Sequence, residues 1–165
     1  KYKKKISNLI TIIIPRHIER TNEIIRMLDK KKLKFVKHSE NKKNLKDCDI
    51  YIVDSYGESK SFYKISNVVF LGGSLVSKGG QNPLEALRLG CNTMHGNYTF
   101  NFTDIYKMLE KENLSLRVSN SKDLGEKTYS LLKNKKNNSK KIKKLKIMGN
   151  LILRKNFEEI KKIVK

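Results

Sequence analysis

Short apolar runs alternate with amphipathic segments along most of the chain. Residues 8–14 are rich in β-branched side chains and stop at Pro15, a pattern typical of a buried strand. Isoleucine and leucine then recur at helical spacing up to Lys31. Further apolar runs predict strands at residues 33–36, 49–53, 67–71, 91–94 and 114–118. The intervening segments predict helices at residues 58–65, 83–89 and 102–113.

The last part of the chain, from about residue 123 to residue 165, has a helical pattern throughout. We expect two helices here, with a break either near Asn137-Asn138 or near Gly149-Asn150. We therefore assign residues 1–122 to a domain core and residues 123–165 to helices that pack on this core or trail from it.

This alternation of strands and helices predicts an α/β fold. Its strands are apolar on both faces, which indicates a parallel sheet with helices on both sides, a Rossmann-like doubly wound arrangement. Such sheets bind ligands beyond the carboxyl ends of their strands. Three loops, at residues 15–17, 54–58 and 72–85, follow a predicted strand and precede a helix. One ligand is therefore expected to contact all three loops.

The run G-G-S-L-V-S-K-G-G-Q-N-P-L-E-A-L at residues 72–87 is the most informative of these loops. Gly79 and Gly80 allow a ligand to approach the backbone closely. Asn82 is a good N-cap with Pro83 as the first helical residue, and the free N–H groups of that turn would stabilise an anion. Glu85 could accept hydrogen bonds from sugar hydroxyls, although an ordinary capped helix explains the same residues.

Two well-known nucleotide motifs are absent from the sequence. It contains no G-x-G-x-x-G fingerprint and no G-x-x-x-x-G-K-[ST] loop, which argues against nicotinamide-dependent enzymes and P-loop nucleotidases. The two cysteines, Cys48 and Cys91, are too few for a disulfide framework, favour a reducing compartment, and are interpreted as ordinary core or loop thiols.

Composition adds a strong positive charge to this picture. The 165 residues include 37 Lys and Arg against 16 Asp and Glu, which gives a formal net charge of +21. Clusters at residues 1–5, 30–34 and 133–146 contain far more Lys than Arg and few aromatic rings, so we favour a solvated surface over a dedicated nucleic-acid site. A polyanion-binding or nucleic-acid-binding basic domain stays open as an alternative, as does adhesion to an anionic membrane. The chain starts at Lys1 rather than Met, and we expect it to be part of a longer protein.

Five motifs occur in a fixed order between about residue 11 and residue 118. They are I-P-R-H-I-E-R at 14–20, D-S-Y-G-E at 54–58, F-L-G-G-S-L-V at 70–76, G-G-Q-N-P-L-E at 79–85 and T-F-N-F-T-D-I at 99–105. In these motifs the chain resembles the carboxyl-terminal half of the 3-deoxy-D-manno-octulosonic acid (Kdo) transferases, the lipid A glycosyltransferases of Gram-negative bacteria. The resemblance implies GT-B architecture, in which two Rossmann-like domains face a cleft and the carboxyl-terminal one holds the donor CMP-Kdo.

The same resemblance implies which residues bind the CMP part of the donor. They are Pro15, Arg16, His17, Tyr56, Gly57, Glu58, Gly79, Gly80, Asn82, Pro83, Leu84 and Glu85. The family usually has M-G-E at the position of Tyr56-Gly57-Glu58, and Tyr56 should keep an apolar contact to base or ribose. It usually has His at the position of Gln81 and Pro at that of Ala86, so no titrating role is expected for Gln81.

The resemblance also implies what these 165 residues lack. The catalytic base, a carboxylate, and the membrane-associated acceptor surface are expected in an amino-terminal domain, so we expect no catalytic residue here and no activity of this half alone. The expected partners are CMP-Kdo, a lipid A precursor and the anionic cytoplasmic face of the inner membrane, without a cofactor, a metal ion or a specific nucleic acid. A GT-B transferase that uses another nucleotide sugar, such as a UDP-sugar, is the second alternative.

Overall fold

A computed structural model gives the structure of residues 6, 9–41, 45–46, 48–134 and 138–164. The chain divides into two compact units, Lys1–Phe62 and Tyr63–Lys165. The lysine cluster at residues 1–5, the start of the first predicted strand at Asn8, and Asn137 lie outside the described residues.

The first unit contains a three-stranded parallel sheet. Its strands are β1 (Thr11–Ile13), β2 (Phe35–Lys37) and β3 (Ile50–Ile52). Strand β3 is central, with Ile52 opposite both Ile13 and Lys37. After a 3-10 turn at Ile18–Arg20, helix α1 spans Thr21–Lys30, and its spacing of apolar residues agrees with the predicted helix up to Lys31. Helix α2 (Ser59–Ile65) follows β3.

The second unit contains another three-stranded parallel sheet, in the order β4-β5-β6. Its strands are β4 (Val68–Phe70), β5 (Asn92–His95) and β6 (Ser115–Arg117). Its helices are α3 (Leu84–Arg88), α4 (Thr103–Lys111), α5 (Ser121–Lys133) and α6 (Ser139–Ile163). The core between helices and sheet is formed by buried leucines, namely Leu87, Leu109, Leu114 and Leu145.

All strand pairings in both sheets are parallel, which confirms the predicted α/β class. Five of the six strands are shorter than predicted, whereas β5 has the predicted four residues and begins one residue later. Hydrogen bonding to the neighbouring strand continues one residue beyond three of the strands. Val53 N–H donates to Ile13 O at 2.9 Å, Leu71 N–H to Met94 O at 2.9 Å, and Val118 N–H to His95 O at 2.7 Å. These residues are where the predicted strands 49–53, 67–71 and 114–118 end.

The two carboxyl-terminal helices are separated just before Ser139, and Asn138 is the residue that precedes α6. This position agrees with the predicted break near Asn137-Asn138. The side chain of Asn138 donates to Gly90 O at 2.6 Å and so connects this junction to the turn between α3 and β5. The alternative break at Gly149-Asn150 is wrong, because both residues lie inside α6. A single helical glycine costs about 1 kcal/mol, too little to end a helix whose earlier turns are packed through Leu145 and Met148.

Candidate functional site

In the first unit, the loops after β1 and β3 leave the same edge of the sheet, because the two strands are parallel neighbours. Pro15 is half-buried, whereas Arg16 and His17 are exposed. His17 precedes the 3-10 turn and its carbonyl accepts from Arg20 N–H at 3.1 Å, but its side chain makes no capping hydrogen bond within the described residues. The imidazole of His17 is therefore not used to cap the turn.

The loop after β3 is connected to the loop after β1 by one side-chain hydrogen bond. The Tyr56 hydroxyl donates to Glu19 Oε1 at 3.1 Å, while 61% of the Tyr56 side chain stays exposed. A backbone hydrogen bond and this Tyr56 contact lower the pKa of the Glu19 carboxyl. Gly57 has a left-handed φ of +83°, and Glu58 O accepts from Ser61 N–H at 3.0 Å as α2 begins. The first unit thus brings together two of the three predicted loops.

Asp54, at the start of the same loop, holds the loop to Ser39. This carboxylate accepts from the backbone N–H and the hydroxyl of Ser39 at 2.9 Å and 2.6 Å. Burial alone would raise the pKa of Asp54, but these two hydrogen bonds, a further backbone hydrogen bond and the charge of Lys37 together lower it. The neighbouring Ser55 Oγ is buried and has no hydrogen-bond partner among the described residues. A buried hydroxyl of this kind is an available donor and acceptor beside the exposed Tyr56 ring.

In the second unit, the loop at residues 72–85, the glycine loop, is held by backbone and side-chain contacts. Gly79 and Gly80 are buried and have left-handed φ values of +82° and +72°. A Cβ on Gly79 would lie 2.6 Å from Phe100 Cε2 and would also collide with Asn101. Gly80 N–H donates to Gly73 O at 3.3 Å, which closes the loop on itself. Glycine is therefore required at residue 79 for two reasons, its φ angle and the lack of space.

The entry to α3 differs from the prediction in one respect. The Asn82 side chain accepts from Leu84 N–H at 3.0 Å, but the helix begins at Leu84, so buried Pro83 precedes it rather than forming its first residue. The helix is five residues long, too short for a large macrodipole. An anion at this loop would therefore be stabilised by individual N–H groups. Glu85 is exposed in the first turn, as expected of a group that meets a ligand.

His95 is fully buried at the end of β5. Its Nε2 lies 2.6 Å from Glu110 Oε1 and its Nδ1 lies 2.9 Å from Ser115 Oγ. Because a carboxylate only accepts, Nε2 carries the proton and a neutral ring accepts from Ser115 at Nδ1. Burial lowers the pKa of His95, against the opposing effect of Glu110. Arg117 Nη2 donates to Glu110 Oε2 at 2.7 Å and completes the chain of contacts.

His38, Cys48 and Cys91 are explained by structural rather than catalytic roles. His38 lies in a 3-10 turn, 2.9 Å from the Tyr51 hydroxyl, with its ring centroid 5.4 Å from that of Phe62. Cys48 and Cys91 are both buried, and burial raises the pKa of the Cys91 thiol to about 11. A thiol with so high a pKa is a poor nucleophile. Across the described ranges, no group of three or more His, Cys, Asp or Glu side chains is placed to hold a metal ion.

The predicted site residues thus form two groups, which the structure assembles in different ways. Those of the first unit are Pro15, Arg16, His17, Tyr56, Gly57 and Glu58; those of the second are Gly79, Gly80, Asn82, Pro83, Leu84 and Glu85. No role was predicted for Asn101 or Tyr106, although Asn101 lies in the motif at residues 99–105. Both contact the glycine loop, Asn101 Nδ2 at Lys78 O and the Tyr106 hydroxyl at Gln81 O.

Comparisons with known proteins agree on one kind of relative, although no family model matches the chain. A 3-deoxy-D-manno-octulosonic acid transferase of Haemophilus influenzae is 36% identical over 138 residues, 84% of this chain and 32% of that protein. The Aquifex aeolicus transferase of the same name is 34% identical over 134 residues, 81% of this chain and 36% of that protein. A bifunctional glycosyltransferase/methyltransferase of Fusobacterium nucleatum is 33% identical over 84% of this chain and 22% of its own length. The chain spans about a third or less of these relatives.

A solved structure gives the same result for the fold. The crystal structure of the C-terminal CMP-Kdo binding domain of WaaA from Acinetobacter baumannii matches with a TM-score of 0.80 and 28% sequence identity. The match covers 87% of this chain and 75% of that one. The similarity therefore extends over nearly all the elements described above.

Proposed function

Since this chain is a homologue of the carboxyl-terminal region of the Kdo transferases, we propose that it is the donor-binding half of such a glycosyltransferase. Its ligand is CMP-Kdo, and the complete enzyme transfers Kdo from CMP-Kdo to a lipid A precursor. The observation that carries this proposal is the structural match to a CMP-Kdo binding domain, with a TM-score of 0.80 over 87% of the chain.

The residues supply the groups that CMP requires. The donor has one phosphate, and the exposed Arg16 guanidinium provides the matching charge, with a geometry suited to two phosphate oxygens. The exposed Tyr56 ring offers an apolar face to the base or ribose. The exposed Glu85 carboxylate accepts hydrogen bonds from ribose hydroxyls, and the left-handed φ values of Gly79 and Gly80 give the loop its shape.

The proposed reaction is an inverting displacement. A hydroxyl of the acceptor attacks the anomeric carbon of Kdo, the bond from that carbon to the phosphate oxygen breaks, and CMP leaves with the electron pair. The proton of the attacking hydroxyl passes to a carboxylate base, which we assign to an amino-terminal domain rather than to this chain. Arg16 lowers the barrier by stabilising the charge that develops on the departing phosphate.

Association with the anionic cytoplasmic face of the inner membrane, where the acceptor lies, is supported by charge. Helix α6 contains nine Lys or Arg and two Glu, and no helix of the described residues is long and apolar enough to cross a bilayer. Each Lys near an anionic leaflet contributes about 1 kcal/mol. Co-sedimentation with vesicles should therefore rise with anionic lipid content and fall with salt. Binding that ignores anionic lipid content would contradict this part of the proposal.

The decisive experiment is a competition among CMP, UMP, UDP and AMP, followed by amide NMR shifts at low salt. We expect shifts at Arg16, Gly57 and Asn82 through Glu85, with CMP preferred. The double variant Arg16→Ala/Glu85→Ala should lose the response, with inorganic phosphate as the control for a generic anion effect.

Two other outcomes would replace the proposal by its alternatives. A preference for UDP would indicate a GT-B transferase with another nucleotide sugar. Equal responses to every nucleotide, abolished by salt and unaffected by the double variant, would indicate a basic polyanion-binding domain.

A further inference from the structure

Residues that follow β5 hold the backbone of the glycine loop at three carbonyls. Asn101 Nδ2 donates to Lys78 O at 3.2 Å, and the Asn101 backbone N–H donates to Gly79 O at 3.2 Å. The Tyr106 hydroxyl donates to Gln81 O at 2.7 Å. Three of the four carbonyls from Lys78 to Gln81 are therefore turned toward Asn101 and Tyr106.

A trans peptide unit holds its C=O and the following N–H in opposite directions, and the described chain has no cis peptide bond. The Lys78 carbonyl therefore turns the N–H of Gly79 away from Asn101, and the Gln81 carbonyl turns the N–H of Asn82 away from Tyr106. Neither N–H makes a hydrogen bond within the described part of the chain. Each of these two free donors consequently points away from the residue that holds its peptide unit.

The loop needs these contacts, because two adjacent glycines have more accessible conformations than any other pair of residues. The contact at Tyr106 is rigid: its side chain is 1% exposed and its ring centroid lies 4.3 Å from that of His95. His95 is in turn held by Ser115 and Glu110. The position of the Tyr106 hydroxyl is thus set by the core of the second unit and not by the loop.

We propose that Asn101 and Tyr106 are positioning residues that aim the N–H groups of Gly79 and Asn82 at an anionic oxygen of the bound donor. The inference rests on the proposed function, since it assumes that CMP-Kdo or CMP occupies this loop. It assigns the anion contact to two peptide groups outside α3, and assigns their orientation to side chains that do not touch the ligand. Tyr106 is too deeply buried to reach a ligand itself.

The test uses Tyr106→Phe, which keeps the ring, and Asn101→Ala, at an exposed residue. Tyr98→Phe and Asn97→Ala are the matched controls, because both side chains are exposed on the same connection. Loss of one hydrogen bond should weaken CMP binding about fivefold in each test variant. In Tyr106→Phe the CMP-induced amide shift should be lost chiefly at Asn82, and in Asn101→Ala chiefly at Gly79. The controls should bind CMP as the wild type does.

The outcomes separate this inference from the proposed function. Wild-type affinity with full shifts at Gly79 and Asn82 in both test variants would overturn the positioning role and leave CMP binding intact. If the wild type itself does not bind CMP, the proposed function fails and the positioning role fails with it, because no donor then occupies the loop. Circular dichroism checks that each variant is folded.

Discussion

The two groups of candidate site residues are built in opposite ways. In the first unit, the loops after β1 and β3 offer exposed side chains, and one hydrogen bond, from Tyr56 to Glu19, joins them. In the second unit, the glycine loop is buried at Gly79 and Gly80 and is held through its backbone. The first group therefore contributes charge and an aromatic surface, whereas the second contributes the shape and direction of peptide groups.

The two groups should therefore tolerate different substitutions. An exposed side chain can be removed with little cost to folding, because few other contacts depend on it. A glycine with a left-handed φ and packed neighbours cannot be replaced without moving those neighbours. Substitutions in the first unit should consequently affect ligand binding, and substitutions in the glycine loop should affect binding and stability together.

The largest effect is expected from a pair of matched glycine variants. Gly79→Ala introduces a Cβ against Phe100 and Asn101 at a φ of +82°, and should lower the free energy of unfolding by about 3 kcal/mol. Gly57→Ala has nearly the same φ, +83°, but nothing within 4 Å of the new Cβ, and should cost about 1 kcal/mol. Urea unfolding measures both. Equal losses in the two variants would contradict the view that the glycine loop is the more tightly packed.

Removal of the Arg16 guanidinium should affect binding alone. Arg16 is exposed, so Arg16→Ala should change the free energy of unfolding by less than about 0.5 kcal/mol. It should weaken CMP binding about tenfold, through loss of a charge-assisted hydrogen bond to phosphate. Titration calorimetry at two salt concentrations measures the affinity. Arg26→Ala, at another exposed arginine, is the control, and an equal loss in both variants would indicate a generic effect of charge.

Acid should destabilise the second unit through His95. Burial lowers the pKa of His95 below its ordinary value of 6.5, so the unfolded chain binds more protons there than the folded chain does. The stability from this group is therefore complete above pH 6.5 and is lost as pH falls through the lower pKa of the folded state. Burial alone would raise the pKa of Glu110, but hydrogen bonds from His95 and Arg117 keep it below 4.5, so a second loss follows in stronger acid.

Urea unfolding between pH 7.5 and pH 4 measures the loss of stability on protonation of His95. The wild-type free energy of unfolding should fall between pH 7 and pH 5. His95→Gln, which cannot take up a proton, should be less stable at neutral pH and nearly independent of pH over that interval. A wild-type curve that stays flat or rises on acidification would contradict the assigned protonation of His95.

The smallest effect is expected at the hydrogen bond between the two loops of the first unit. Tyr56→Phe removes a 3.1 Å contact between exposed groups and should cost less than about 0.5 kcal/mol of stability. The pKa of Glu19 should rise, because the Tyr56 contact is one of the causes that lower it, after the backbone hydrogen bond. Carbon-detected NMR titration of the Glu19 carboxyl measures the change. An unaltered pKa would show that the two loops are not coupled through this contact.

Much of the architecture could be predicted from the sequence, because it is encoded in neighbouring residues. Continuous apolar runs and amphipathic runs of helical period indicated the order of strands and helices, and the helix break before Ser139 was one of two predicted alternatives. The strand at residues 33–36 was placed slightly early, since β2 spans Phe35–Lys37. The local pattern does not state which residues of an apolar run pair with a neighbouring strand.

The α/β class, the loops at the ends of strands and the resemblance carried by the motifs are encoded in local sequence. How the glycine loop is held depends on tertiary structure, since Asn101 is 23 residues from Lys78 and Tyr106 is 25 residues from Gln81. Tertiary structure also decided the role of His95, whose partners Glu110 and Ser115 are 15 and 20 residues away. Local periodicity reports the conformation of consecutive residues, whereas these contacts exist only once separate elements have packed and buried polar groups have found their partners.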